Sequence, residues 1–233
     1  MTTARDRILG RLRAVRAPGA ASAAFTYPDP RADDPGAAHA AWERQQAPLA
    51  GAAGDLAERF AEAQRAAGSL VARIPAWDAL PAAVTPWIGR FGIRSALTGR
   101  EPRLEPLRRH LAALGVQVGR YERPVEEQRG ELFATDLGIT TSAAAVAETG
   151  SIVLIPSPEE PRLLSLAVPI HLAIVEVATI VPTLADFIRT GAYQQRLPAN
   201  LVFVSGASRT ADIELTLAMG VHGPKTLLVA VVG

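Results

Sequence analysis

The hydrophobic positions in the second half of the chain fall into short runs with no polar face. Ile152–Ile155, Leu172–Val177, Leu201–Val204 and Leu227–Val232 are each apolar on both sides. That is the pattern of strands buried within a sheet covered on each face. Leu70–Ile74, Ser95–Thr98 and Val116–Tyr121 read as further strands. Between them Leu104, Leu107, Leu111 and Leu114 recur at helical spacing and are closed by Gly115, which predicts a helix over Leu104–Leu114. Strands alternating with helices predict an α/β fold, a mainly parallel sheet flanked by helices, with sites at the carboxyl ends of the strands.

The amino-terminal part is patterned differently. Thr2–Val15 places Ile8, Leu12 and Val15 on one helical stripe among arginines, Ala17–Pro35 is irregular and rich in Ala, Pro and Asp, and Ala37–Ala67 returns to helical composition. Its anchors, Trp42, Leu49, Leu56 and Phe60, need a surface on this chain or on another subunit to be buried. The chain therefore divides into an N-terminal helical arm, residues 1–67, and an α/β domain, residues 68–233.

The stretch Leu201–Gly220 reads as strand, polar turn, then helix over Thr210–Met219 closed by Gly220. Ile213 and Leu217 fall on one side of that helix and Leu215 and Met219 on the other, so it is expected to be covered twice. A strand that breaks through Ser205-Gly206-Ala207-Ser208 into a helix turns backbone N–H groups toward an anion, with Ser208 as cap and Arg209 as cation. Asp212 and Glu214 are accounted for first by the helix dipole, with a ligand role as the alternative. The glycine spacing and lysine of a phosphate loop or dinucleotide fingerprint are missing.

Charge and composition narrow the choice. A formal net charge of +1 provides no basic excess for nucleic acid, and Lys225 is the only lysine. Zero cysteines exclude disulfides, thiolate catalysis and cysteine-ligated clusters within the chain. The four histidines are dispersed, with none at metal-binding spacing. No apolar run reaches the roughly 20 residues of a membrane span, and the start of the chain lacks the apolar core of a signal peptide, so a cytoplasmic protein is expected. No cofactor is implied.

Two further stretches carry polar groups at structured positions. In Gly138–Leu154, Glu148-Thr149-Gly150-Ser151 makes a turn directly before a buried strand. Glu148 there is either an ordinary turn residue or a base, nucleophile or ligand contact. Arg162 suits a carboxylate or phosphate as well as a surface charge, and His171, opening a strand, is either structural or a proton acceptor. His222 is expected at the sheet end opposite Ser208, away from the site.

Taken together, GITTSAAAVAETGSIVL, RLLSLAVPIHLAIVEVATIVPTLAD and SGASRTADIELTLAMGVHGPKTL resemble the lactate utilization protein C family, the LUD-domain proteins, over roughly Gly138–Gly233. A looser likeness covers Ala4–Leu12 and Leu70–Leu114. Ala207 stands where the family commonly has Pro, with Ser205, Ser208, Arg209, Thr210, Asp212 and Glu214 kept. The resemblance implies a fold like that of the sugar-phosphate isomerase and CoA-transferase superfamily. It also implies a part in oxidising L-lactate to pyruvate beside iron–sulfur partner proteins. Under that reading this chain is a non-redox subunit, homo-oligomeric or not, that binds a small carboxylate or phosphate. Glu148 and His171 would act in proton transfer, and Arg162, Thr149, Ser151, Ser208, Arg209, Thr210 and Asp212 would bind. The alternatives are a stand-alone acyl-transfer, isomerase or cyclo-ligase-like enzyme using Glu148, and a purely structural adaptor.

Overall fold

The computed structural model describes residues 55–190, 198–211 and 217–233, all within one compact unit, Leu49–Gly233. The first elements are α1 (Leu56–Ala66), β1 (Leu70–Ile74), α2 (Leu80–Phe91), β2 (Ser95–Thr98), α3 (Glu105–Ala113), β3 (Gln117–Arg120), α4 (Val125–Ala134) and β4 (Leu137–Thr141). They are followed by β5 (Ala144–Val146), β6 (Ser151–Leu154), β7 (Ile170–Glu176), β8 (Ile180–Val181), α5 (Leu184–Thr190), β9 (Val202–Val204), β10 (Arg209–Ala211), β11 (Leu217–Met219) and β12 (Thr226–Val232).

Six strands form one sheet in the order β1–β12–β7–β4–β2–β3, and every pairing in it is parallel. The runs apolar on both faces explain why. In β12, Leu228, Ala230 and Val232 pack on one side with Val84 and Ile88 of α2 and Leu107 and Leu111 of α3. The alternate residues Leu227, Val229 and Val231 pack on the other side with Phe60 of α1 and Ile152 of β6. A strand with two buried faces can sit only in the middle of such a layer.

The helices start and stop where the sequence provides for it. Asp55 caps α1 by accepting from the Ala57 N–H at 3.0 Å. α2 ends on Gly92 at φ 58°, whose left-handed backbone lets the following N–H reach back to Ile88 O. α1 is the described part of the expected arm. Its buried stripe, Ala57, Phe60, Ala61 and Gln64, lies against the sheet, and full burial of Phe60 is worth about 2–3 kcal/mol. The other expected anchors, Trp42 and Leu49, lie outside the described residues.

Two expectations are corrected. Ile152–Ile155 and Leu201–Val204 do not join the parallel sheet. As β6 and β9 they belong to a second sheet, β8–β5–β6–β9, where β6 pairs antiparallel with both β5 and β9. In β6 the second face is buried, with Val153 clustered with Phe187 of α5, whereas Phe203 of β9 meets Phe187 edge-on and stays exposed. The helix expected to run from Thr210 to Met219 is corrected at both of its described ends. Those ends are β10 and β11, paired antiparallel with Arg209 opposite Met219. Leu217 and Met219 stand two apart, the spacing that puts both on one side of a strand. No helix N-terminus therefore faces Ser208, and the backbone anion site argued from one is withdrawn.

Candidate functional site

The expected site residues separate into two groups at opposite ends of β6. The first group gathers at the carboxyl end of α1. β6 and β9 pair with Ile152 opposite Val204, which brings Ser151 and Ser205 side by side. Their hydroxyls hydrogen bond at 2.7 Å, and Ser151 Oγ is also 2.7 Å from Thr149 Oγ1, giving a line of three hydroxyls. Gly150 takes φ 63° in this turn, tight against Ala63 of α1. The fully buried Gln64 ties the pieces together. Its amide donates to the carbonyls of Gly150 and Val204, and its Oε1 accepts from Ser69 Oγ at 2.6 Å.

Arg209, the first residue of β10, joins this group. Its Nη2 donates to Ala67 O at 2.7 Å, where a cation also suits the negative end of α1. The rest of the side chain is exposed. Glu148 is half-buried, its backbone N–H bound to Pro182 O, and Thr149 is exposed. Ser208 is pinned by its N–H to Pro224 O at 2.9 Å. His222 is corrected here: its N–H lies 3.4 Å from Ser208 Oγ, because Ser208 packs beside the chain entering β12. The group thus lies toward the amino ends of β1 and β12, not at the strand carboxyl ends. Asp212 and Glu214 lie outside the described residues, and only the backbone of Thr210 is described, in β10.

Arg162 and His171 belong to the second group. Leu154 is three residues along β6 from Ser151, about 10 Å for an extended strand. There, with Ile155 and Pro156, it lines a crevice with Thr140, Thr141, Glu160, Arg162 and Ser165. Arg162 is exposed at the start of a short turn, and Ser165 Oγ donates to its carbonyl at 2.9 Å. His171 is completely buried behind Thr140, with Nε2 and Thr140 Oγ1 2.8 Å apart and Nδ1 unpartnered. Burial alone pushes its pKa down to about 4, so the ring is neutral. It reaches the crevice only through Thr140.

Glu160 was passed over by the sequence reading. One oxygen accepts from Thr141 Oγ1 at 2.7 Å, and the other, Oε2, is shut off from solvent with no partner. Burial, reinforced by the negative charge of Glu101, raises its pKa to about 7 against the hydrogen bonds from Thr141. The available signal was Pro156-Ser157-Pro158-Glu159-Glu160-Pro161, a proline-stiffened loop carrying two acids directly after a buried strand. Its close seating was not readable. Gly99 and Gly138 lie so near that a Cβ would collide with the carbonyl oxygens of Glu159 and Leu164 respectively.

A larger groove, about 660 Å³, lies elsewhere, at the amino ends of β2 and β3. Its Asp136 is committed to the N–H groups of Arg94 and Ser95 and to Ser95 Oγ, and none of the expected site residues lines it. Among the described residues no cluster of three metal-ligating side chains occurs. No helix there is long and apolar enough to cross a membrane.

Fold and site together define a parallel-sheet α/β protein with a hydroxyl-lined turn and a separate polar crevice at the carboxyl end of β4. The chain belongs to the LUD domain family, whose model matches residues 57–232. It is 33% identical over 156 residues to lactate utilization protein C of Halalkalibacterium halodurans, covering 63% of this chain and 66% of that protein. It is 38% identical over 121 residues to lactate utilization protein C of Deinococcus radiodurans, covering 52% and 56%. These matches span about half to two thirds of the relatives' lengths. A crystal structure of a DUF162 family protein from Deinococcus radiodurans superposes with TM-score 0.59 at 26% identity, covering 76% of this chain and 96% of that one.

Proposed function

We propose that this chain is a non-redox component of an L-lactate utilization system, working with iron–sulfur partner proteins in the conversion of lactate to pyruvate. It holds the small carboxylate at the turn Glu148–Ser151 and the loop Ser205–Arg209. The observation that carries this reading is the hydrogen bond between Ser151 and Ser205, which folds two separate family-like motifs onto one another beside Arg209. The names of the relatives support the metabolic setting. The absence of cysteine from the sequence supports a division of labour in which partners carry the electrons.

In this arrangement the exposed guanidinium of Arg209 holds the carboxylate, and the hydroxyl line of Thr149, Ser151 and Ser205, which uses two of its three protons internally, supplies one donor from its end. Glu148 at the edge of the turn takes or returns a proton. The test is titration calorimetry of lactate and pyruvate into wild type and Arg209→Ala. Affinity is expected to fall about tenfold, the loss of one charge-assisted contact of about 1.4 kcal/mol. The far-ultraviolet dichroism should be unchanged, because the arginine is exposed. Unchanged affinity removes Arg209 from the site.

A further inference from the structure

Neighbouring residues of β2 point to opposite faces of the main sheet. Ala96 packs with Leu107 and Leu111 of α3, whereas Leu97 packs with Leu132 of α4. The chain therefore leaves β2 toward one face and leaves its parallel neighbour β3 toward the other. Adjacent parallel strands whose connections part in this way open a crevice beyond their carboxyl ends, the place where α/β sheets accept ligands. A cavity of about 220 Å³ lies there. Arg100 follows β2, Tyr121-Glu122-Arg123 follows β3, and Ser157 and Pro161 come from the loop after β6.

These walls are held in place by the protein itself. The Arg100 N–H donates to Glu159 O at 2.7 Å, which ties the loop to the end of β2. The buried Gln128 of α4 accepts from the N–H groups of Glu122 and Arg123 at 2.9 and 2.8 Å and donates to Arg120 O at 2.9 Å. The donors around the cavity are largely unused. Arg100 has no carboxylate partner among the described residues and gives one side-chain N–H, from Nη2, to Glu122 O. Arg123 meets the exposed Glu131, a pair that costs little to open. Ser157 Oγ accepts from the N–H groups of Glu159 and Glu160, both at 3.1 Å, and its own proton remains to donate. Tyr121 is 5% exposed, yet its phenol has no hydrogen-bond partner among the described residues, where a buried phenol ordinarily finds one. That oxygen is not sealed from solvent, and the cavity is where Tyr121 meets it. Burial, and after it the charge of Glu126, hold the phenol proton above the ordinary range, so the group is a donor at neutral pH.

We propose that this crevice is a binding site for the phosphate group of a small molecule, held by the guanidinium groups of Arg100 and Arg123 and the hydroxyls of Tyr121 and Ser157. Four donor groups on three segments suit the several oxygens and nearly double charge of a phosphate better than the two oxygens and single charge of a carboxylate. Guanidinium forks also match phosphate geometry bidentately. Glu122 is the one carboxylate among the lining residues, against two guanidinium groups, and its exposed side chain turns outward on binding. The cavity is smaller than the roughly 300–1,000 Å³ of pockets for drug-sized ligands. A phosphate with a few further heavy atoms is therefore the class that fits, and a nucleotide is too large. The proposal goes beyond the function argued above and uses none of its residues, so either can fail alone.

The experiment is calorimetric titration of inorganic phosphate, glycerol 3-phosphate and acetate into the full chain at neutral pH and low salt. Both phosphates should bind, and acetate should bind at least tenfold more weakly. Equal affinity for the two phosphates assigns the site to the free ion, and tighter binding of the ester assigns it to a phosphorylated small molecule. Arg100→Ala, at an exposed position, should weaken phosphate binding about tenfold, the scale of one charge-assisted contact. Tyr121→Phe keeps the ring in its packing and removes a hydroxyl that bonds nothing in the protein, so affinity should fall at unchanged stability. Glu122→Gln should strengthen binding, because it removes a like charge, whereas at a cation site it would weaken it. Arg209→Ala should leave phosphate affinity unchanged. No saturable binding at tens of millimolar phosphate, acetate binding as tightly as phosphate, weaker binding in Glu122→Gln, or affinity indifferent to both Arg100→Ala and Tyr121→Phe would each overturn the proposal.

Discussion

Glu160 and His171 sit within one small region and titrate in opposite senses, which makes the folded state's response to pH a test of the region's structure. The Glu160 carboxyl holds its proton more tightly folded than unfolded, with a pKa near 7 against an ordinary 4.5. Its stabilising effect is present in acid and is lost as pH rises through that interval. His171 holds its proton less tightly folded, near 4 against 6.5, so its effect is lost as pH falls from 6.5 toward 4. The two slopes oppose each other in the wild type between pH 4.5 and 6.5. Glu160→Gln removes only the first. Denaturant unfolding across pH 5–8 should show the variant gaining on wild type as pH rises, by about 1–2 kcal/mol after allowance for screening at a half-buried site. A constant difference would mean that Glu160 is ionised throughout.

At the scale of elements, Gln64 is the joint on which the hydroxyl turn depends. A fully buried glutamine on α1 satisfies Gly150, Val204 and Ser69, which come from three separate segments. Gln64→Ala leaves those groups unpaired and should cost about 2–4 kcal/mol in denaturant unfolding. Amide exchange should accelerate first at Gly150 and Ser151. Exchange that rises uniformly would mean that the turn is held by something else.

What the sequence could disclose differs by element for physical reasons. The strands β1, β2, β7 and β12 and the helix α3 were legible because their two-sided or 3.6-residue apolar patterns follow directly from what they bury. β6 and β9 carry the same apolar signature but belong to a different sheet, since burial on both faces records coverage and not the direction of pairing. β10 and β11 were misread because apolar residues two apart, which lie on one side of a strand, were taken as the two covered sides of a helix. Among site residues, Thr149, Ser151 and Arg209 were identified as candidates from their place in polar turns. Ser205 was seen only as part of its turn. Glu160 was missed because the loop that carries it is seated against Gly99, far away in sequence, where a Cβ would collide with Glu159 O.

Among the described residues, the parallel sheet is a platform covered by α2 and α3 on one face and by the small sheet, α1 and α4 on the other. The small sheet carries its polar groups at its two ends, the hydroxyl turn at one and the Glu160 crevice at the other. The chain has no cysteine and so contributes no thiolate-bound centre, which in the proposed function makes its task the handling of a small carboxylate for partners that carry electrons. The most direct test of that function is co-expression with candidate iron–sulfur partner proteins, followed by lactate-dependent reduction of a dye with and without this chain. Activity should disappear when the chain is omitted and return with wild type but not with Glu148→Gln or Arg209→Ala. Full activity in its absence would contradict the account and favour a stand-alone enzyme.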